Sequence, residues 1–559
     1  LFTEDLYVQL NRHGSHNPVS KVLLNILFIP PIIQPSLGSD ILWHIHQGKV
    51  IGNVRLQQLT LFEPSIEDAR IKRSWKRAGN FLFPSTKSWV IRHQLDFQAG
   101  DTVDESQLTS SLQALKTHLY LKQAQLSITS QADDTVDVIV VTQDNFPLQA
   151  DIDPEKKLLK IQHNNVAGSG HTWINYFSYD QRFGYGFTYR IPNLIGSAIT
   201  GELSYLNTHK KQLKSIAVFQ KFTQHAGYAG GAKVSYKGRL EPRFLEDKDT
   251  LTITSYTFHT QNLWLGKSWQ PQHSAEDGLF YTAARVYHQA FVKRPPVSQK
   301  GNQAFHNQIF MLGSCGFAHQ QAYKTHFVYD VGRAENIPDG FKYNLIGGYQ
   351  VGEFWNRPYA GLDIAQAKLI PNWGYIATSI NLGGFLCKQT IEQAAIKLSA
   401  NYFSPILRTQ QYAMRQFVLL NCLAGFNRFT GEVLSMNNKQ IIEEWPDPFP
   451  PGTKRLHVHL ENMWWPSRSI AGCKVAISGY LNAVALYNAS QVVQQSSFCE
   501  SLGLGLRIGH ERFAFGTLQI TLGYKPILQT MEFSIGKPID LSSEELTIDE
   551  PGTIDYPYY

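Results

Sequence analysis

The chain has 559 residues, 43% of them hydrophobic, 12% aromatic and only 17% charged, with a formal net charge of +6 and a mean hydropathy of −0.24. The length suffices for two or more domains. The modest charge is scattered, with no basic block, so nothing argues for a nucleic-acid partner. The longest apolar run, Val22 to Ile33, is broken by Asn25, Pro30 and Pro31. It falls short of the roughly 18 to 20 residues that a spanning helix needs, which excludes a helical membrane protein.

Five cysteines (Cys315, Cys387, Cys422, Cys473 and Cys499) lie far apart with no CxxC pair. They predict neither a zinc site nor a disulfide framework, and the odd number leaves at least one free or paired outside the chain. Thr3, Glu4 and Asp5 stand directly after Leu1-Phe2, so no signal peptide is read at the start of the sequence. For an exported protein the expectation is a leader removed or omitted.

Residues 1–47 read as an N-terminal extension of short helices or a strap, punctuated by Pro30, Pro31 and Pro35. His13, His16, His44 and His46 lack an acidic or cysteine partner at ligand spacing and read as polar residues of an irregular segment. From 48 to 148 the texture is α+β. Val50 to Phe62 predicts a strand, and Ser74 to Leu95 helical pieces broken at Pro84. Asp104 can cap a helix whose Leu108, Leu112, Leu115 and Leu119 form one apolar stripe. Strands at Ala124 to Thr129 and Val136 to Thr142 follow, with a turn between them. The order is strand, helix, helix, strand, strand.

The rest alternates with a period of two. Leu502, Leu504, Leu506 and Ile508 oppose Gly503, Gly505, Arg507 and Gly509, and Leu456, Val458 and Leu460 oppose His457, His459 and Glu461. Met531, Phe533 and Ile535 oppose Glu532, Ser534 and Gly536. A soluble sandwich also alternates, but with strands of about 5 or 6 residues. Runs of about 9 to 11, apolar on one side and Gly, charged or amide on the other, suit a bilayer-spanning barrel. The expectation is therefore a mainly β chain: a transmembrane antiparallel β-barrel over 149–559, preceded by a small α+β domain at 48–148. About sixteen strands fit, at roughly 25 residues each with loops.

The strand and helix order, with Phe97, Gly100-Asp101, Leu108, Leu115, Tyr120-Leu121 and Asp144, resembles a POTRA domain of the BamA/TamA outer-membrane assembly superfamily. The resemblance continues through Asn165, Gly168 and Gly170, through Pro192 to Tyr205 and through Phe219 to Phe222. Ile337-Pro338 with Gly340, Arg357-Pro358-Tyr359 with Gly361, and Gly452 with Arg455 and Glu461 resemble versions of this family from the Bacteroidetes. Members carry an Arg-Gly-Phe/Tyr motif on a long loop that folds into the lumen to meet an Asp-x-Gly acid. Here the loop reads KQIIEEWPDPFPPGTKR, with Ile441, Ile442, Glu443 and Glu444 at the motif position, and Ile477 stands before Ser478-Gly479. Loss of both ends together is physically coherent, because either charge left alone in a partly dry lumen costs more than losing both.

No pattern predicts catalysis. His457, His459 and Glu461 share a strand face and could chelate a metal, but a polar row lining a lumen gives the same pattern. Gly266-Lys267-Ser268 lacks the first glycine of a P-loop, since position 261 is Gln. Gly313-Ser314-Cys315-Gly316 lacks the spacing of a nucleophile elbow.

The resemblance implies a non-enzymatic role, without cofactor or metal, in the insertion, assembly or translocation of outer-membrane or surface proteins. It places the chain in the outer membrane with the small domain in the periplasm. Implied partners are the lipid bilayer, client proteins, and other outer-membrane subunits and lipoproteins. In that mechanism the first barrel strand (156–163, with Leu159 and Ile161) and the last (530–539, with Phe533, Ile535 and Gly536) meet at a weak seam where a client strand can pair. A structural subunit of a larger complex and a passive channel are the alternatives. The chain runs about twenty residues beyond its last strand, unlike the family's usual aromatic ending.

Overall fold

A computed structural model describes residues 43–59, 84–118, 120–132, 134–145, 147–153, 157–194, 197–222, 227–244, 251–270, 278–328, 331, 334–429, 431–436, 452–468, 473–487, 496–509, 517–536 and 546–556. The loop positions Ile441, Ile442, Glu443 and Glu444, the histidines His13 and His16, and Leu119 lie outside the described residues.

The N-terminal elements are β1 (Val50–Leu59), α1 (Ser88–Arg92), α2 (Glu105–Thr117), β2 (Leu121–Ala132) and β3 (Thr135–Asp144). They build a three-stranded sheet in the order β1-β3-β2, with β1 parallel and β2 antiparallel to β3. Two helices after β1 supply the length a parallel crossover requires. The α2 stripe packs Leu108 and Leu115 into a core with Ile91, Phe97, Tyr120, Leu126, Val136, Val138 and Val140, while Leu112 is only partly buried there. The register of β1 against β3 shifts between Ile51 and Val54.

From Leu148 onward the chain forms a single antiparallel sheet of twenty-one strands. They are β4 (Leu148–Asp153), β5 (Leu158–Val166), β6 (His171–Asp180), β7 (Arg182–Ile191), β8 (Thr200–Asn207), β9 (Lys211–Gln220), β10 (Gly227–Phe244), β11 (Leu251–Trp269), β12 (Leu279–Lys293), β13 (Gln308–His326) and β14 (Ala334–Gly352). There follow β15 (Asn356–Ile370), β16 (Gly374–Cys387), β17 (Thr390–Phe403), the two-residue β18 (Leu407–Arg408), β19 (Tyr412–Phe426), β20 (Lys454–Pro466), β21 (Lys474–Tyr487), β22 (Ser496–Gly509), β23 (Leu518–Lys525) and β24 (Thr530–Gly536). The order follows the chain, and β24 lies beside β4.

The expected sixteen strands are thus too few. Several hairpins use almost no loop: Gln181 alone separates β6 from β7, and Lys388-Gln389 alone separates β16 from β17. All three residues have positive φ, the backbone that matches the twist of a tight hairpin. Less chain is spent per strand than an even division assumed.

The small unit and the large sheet meet at a polar junction. Asp144 at the end of β3 accepts hydrogen bonds from Thr86 N and Oγ1 at 2.9 and 2.6 Å, and Asn165 Nδ2 of β5 donates to Thr86 Oγ1 at 2.9 Å. Lys87 N donates to Gly168 O at 2.8 Å. Gly168 has φ of +71°, and a Cβ there would lie 2.2 Å from Ser85 O, so this turn requires glycine.

Candidate functional site

The two faces of the large sheet have the polarity of a soluble protein turned inside out. Leu504, Leu502, Leu522, Met531 and Phe533 are among its exposed side chains, Leu504 at 64%. Ser501, Arg507, Gln519, Thr521 and Ser534, on the same strands, are buried, Arg507 at 3%. In water such an exposed apolar band would forfeit about 25 cal/mol per Å²; against lipid it forfeits nothing. Exposed aromatics mark both rims. Tyr228, Trp269, Trp373 and Tyr412 stand at the rim nearer the small unit, and Tyr179, Phe426, Tyr487 and Tyr524 at the other. Amphipathic rings gather where hydrocarbon meets headgroups. No helix among the described residues is long and apolar enough to cross a membrane.

The seam between β24 and β4 lies among the short strands of the sheet, where β4 pairs with β5 over six residues and β24 with β23 over seven. With six residues, β4 limits the described overlap to six positions, whereas β10 and β11 pair over 18 residues and β13 and β14 over 19. Phe533 and Ile535 are exposed on the outer face of β24, and Gly536 pairs with Gln519 of β23. Leu159 and Ile161 are not at this seam. They lie on β5, where Leu159 faces Ile152 of β4 and Phe177 of β6, and Ile161 faces Ala150 and Asn175. The strand that precedes them, Leu148 to Asp153, alternates for only six residues before Pro154, too short to stand out from a linker.

Inside, the row His457, His459 and Glu461 lies on the buried face of β20, as alternation predicts. Nδ1 of His459 is 2.6 Å from Asn482 Oδ1, and Glu461 faces Arg507 across β21. No group of three metal-ligating side chains occurs among the described residues. Ile477 is 48% exposed on the outer face, with Ser478 buried behind it. Arg357 is 1% exposed, stacked on Phe385 at 4.2 Å and bonded to Gln350, Glu392 and Gln393.

The C-terminal segment runs through this interior. Leu546 is buried with Val328, Val331, Met463 and Trp465 near the rim that faces the small unit. Lys342 Nζ of β14 donates to Thr547 O at 3.1 Å. Midway, Glu550 accepts from Asn262 Nδ2 at 2.8 and 3.0 Å and pairs with Arg285 Nη2 at 3.0 Å. Arg285 Nη1 donates to Pro551 O at 2.8 Å, and Ile554 N donates to Tyr359 Oη at 2.8 Å. At the far rim Tyr556 donates to Thr453 O at 2.9 Å, lies 4.0 Å from the Arg428 guanidinium and packs with Leu423, Leu434 and Leu486. Sequence reading saw only an overrun here, because Pro551 and Gly552 break any periodicity. The available signal was the acidic pair Asp549-Glu550, set against an inward row that carries Arg285.

No protein-family model matches the chain, and no curated protein matches it. Among solved structures it is similar to BamA from Haemophilus ducreyi lacking POTRA domains 1–3, at 11% identity and a TM-score of 0.38, over 87% of this chain and 84% of that one. It is similar to CdiB from Acinetobacter baumannii at 11% identity and a TM-score of 0.33, over 95% and 98%. For CdiB from Escherichia coli the values are 10% identity and 0.38, over 87% and 75%.

Proposed function

We propose that the chain is an outer-membrane protein of the BamA/TamA type, a closed transmembrane barrel over 149–559 with a periplasmic POTRA-like domain at 48–148. It acts in the insertion, assembly or translocation of outer-membrane or surface proteins, without enzymatic chemistry. The observation that carries this reading is the seam. An edge limited to six positions, set among strands that themselves pair over only six or seven, offers backbone donors and acceptors that a client strand can take over at less cost than at β10–β11 or β13–β14, which pair over eighteen and nineteen residues. The apolar outer face and rim aromatics support the membrane setting. The strand, helix, helix, strand, strand order of the small unit supports the POTRA-like reading.

The test is a cysteine bridge between β4, at Gln149 or Ala150, and β24, at Ser534 or Ile535, in a background lacking the five native cysteines, none of which is in a disulfide. Locking the seam is expected to arrest assembly of other outer-membrane proteins. Growth and assembly that survive the lock but not deletion of the whole protein assign the chain to a structural subunit instead. The motif position occupied by Ile441, Ile442, Glu443 and Glu444 favours that second reading, and the segment inside the barrel disfavours a passive channel.

A further inference from the structure

The bonds between the wall and residues 546–556 fall into two kinds. Some go to main-chain atoms of the segment, among them Lys342 to Thr547 O, Arg285 to Pro551 O, and Tyr359 Oη from Ile554 N. Bonds of this kind hold any extended backbone, whatever its sequence. The others fix register, namely Glu550 on Asn262 and Arg285, and Tyr556 on Thr453 O and Arg428. The wall also clears space for the segment. A Cβ on Gly425 would lie 2.7 Å from Tyr556 Oη, and one on Gly383 would lie 2.2 Å from the Oη of Tyr359, the hydroxyl that receives Ile554 N.

The segment is long enough to cross from rim to rim: from Leu546 to Tyr556 an extended chain reaches about 36 Å, more than the roughly 30 Å of a bilayer core. Its two ends are seated in apolar clusters, Leu546 at one rim and Tyr556 at the other, but most of the stretch between them is only partly buried. No regular strand or helix holds residues 548–556. Open cavities flank both ends, one of about 330 Å³ against Thr553, Ile554, Asp555 and Tyr556, and one of about 240 Å³ against Leu546 to Asp549. Its central ion pair is partly solvated, with Arg285 16% and Glu550 32% exposed. This combines main-chain recognition, anchored ends and an irregular, partly solvated middle, the construction of a bound peptide.

We propose that the inner wall is a binding site for an extended peptide with an acidic residue and a downstream tyrosine at the spacing of Glu550 and Tyr556, and that residues 546–556 are its displaceable resident occupant. The inference rests on the barrel reading above, but not on the seam. With the segment bound the passage is plugged; when a competing peptide of this class or loss of the Arg285 contact releases it, ions pass.

The experiment is conductance of the purified protein in planar lipid bilayers. The full chain is expected to give small currents, and deletion of 546–559 to raise single-channel conductance several-fold. Added synthetic peptide LTIDEPGTIDYPYY should return the deleted form to low conductance, and the same peptide carrying Glu550→Lys should need at least tenfold more. In the full chain, Arg285→Glu should open the channel and Glu550→Arg should close it again, a readout that does not depend on the deletion folding. The proposal is overturned if deletion and Arg285→Glu both leave conductance unchanged, or if both peptides close the deleted form equally well. A heat-modifiable gel shift run alongside separates the two readings: its absence from the full chain rejects the barrel itself, whereas a normal shift with unchanged conductance rejects only the plug.

Discussion

Arg507 of β22 and Glu461 of β20 form a buried ion pair that reaches across β21. Nη2 of Arg507 donates to both carboxylate oxygens at 3.1 and 2.9 Å, Nε donates to Gln519 Oε1 at 2.8 Å, and the two side chains are 4% and 5% exposed. Removing one partner leaves an uncompensated buried charge, whereas removing both does not. Arg507→Met alone is expected to destabilise the folded protein by about 3 to 5 kcal/mol, and the double variant with Glu461→Gln to recover most of it. Urea unfolding in lipid vesicles measures both.

The outer face predicts a sided response to charge. Leu504→Lys, at a side chain 64% exposed, is expected to cost about 2 to 4 kcal/mol near the bilayer midplane. Gln289→Lys, whose side chain lines the larger interior cavity, should change stability little. Gly503 is a poor inward counterpart, because a Cβ there would lie 2.3 Å from the Tyr480 ring. Equal losses at positions 504 and 289 would contradict the assignment of lipid and lumen faces.

In the small unit, Leu115 is fully buried while Leu112 only borders the core. Leu115→Ala is expected to cost about 2 to 5 kcal/mol and Leu112→Ala clearly less. Denaturant midpoints of a segment comprising residues 43–147 give the comparison, and its failure to unfold cooperatively would reject an autonomous domain.

Burial lowers the pKa of His118 to about 4, with its ring stacked 4.9 Å from that of Tyr120. Between the unfolded value of 6.5 and that depressed value the unfolded chain binds more protons. Stability of the small unit is therefore lost as pH falls through the window from about 6.5 to 4. Burial moves Asp144 in the opposite direction, raising its pKa against the Thr86 hydrogen bonds, so the diagnostic is the difference between proteins. His118→Phe should flatten the stability profile over that window, and an unchanged slope would locate the titration elsewhere.

The junction predicts that Gly168→Ala loosens the small unit from the sheet, because the added Cβ collides with Ser85 O in a left-handed backbone. Overpacking of this kind costs about 1 to 3 kcal/mol. Limited proteolysis should cut the connection around Pro147 faster in the variant than in the parent.

What the sequence by itself determined is local and periodic. Alternation set which side of β20, β22 and β24 is apolar, because successive strand side chains point to opposite faces whatever the partner. The stripe through Leu108 and Leu115 set the buried face of α2 for the same kind of reason. The tertiary structure decided what depends on distant partners. It placed β4 ahead of β5 and so moved Leu159 and Ile161 away from the seam, since six alternating residues acquire meaning only when a neighbour pairs with them. It joined Glu461 to Arg507, 46 positions apart, because register across three strands, not spacing along the chain, brings the two groups together. It also turned an aperiodic C-terminal overrun into a segment held by Asn262, Arg285, Lys342 and Tyr359. A peptide without secondary structure carries no period to read, and its conformation is fixed by the wall around it.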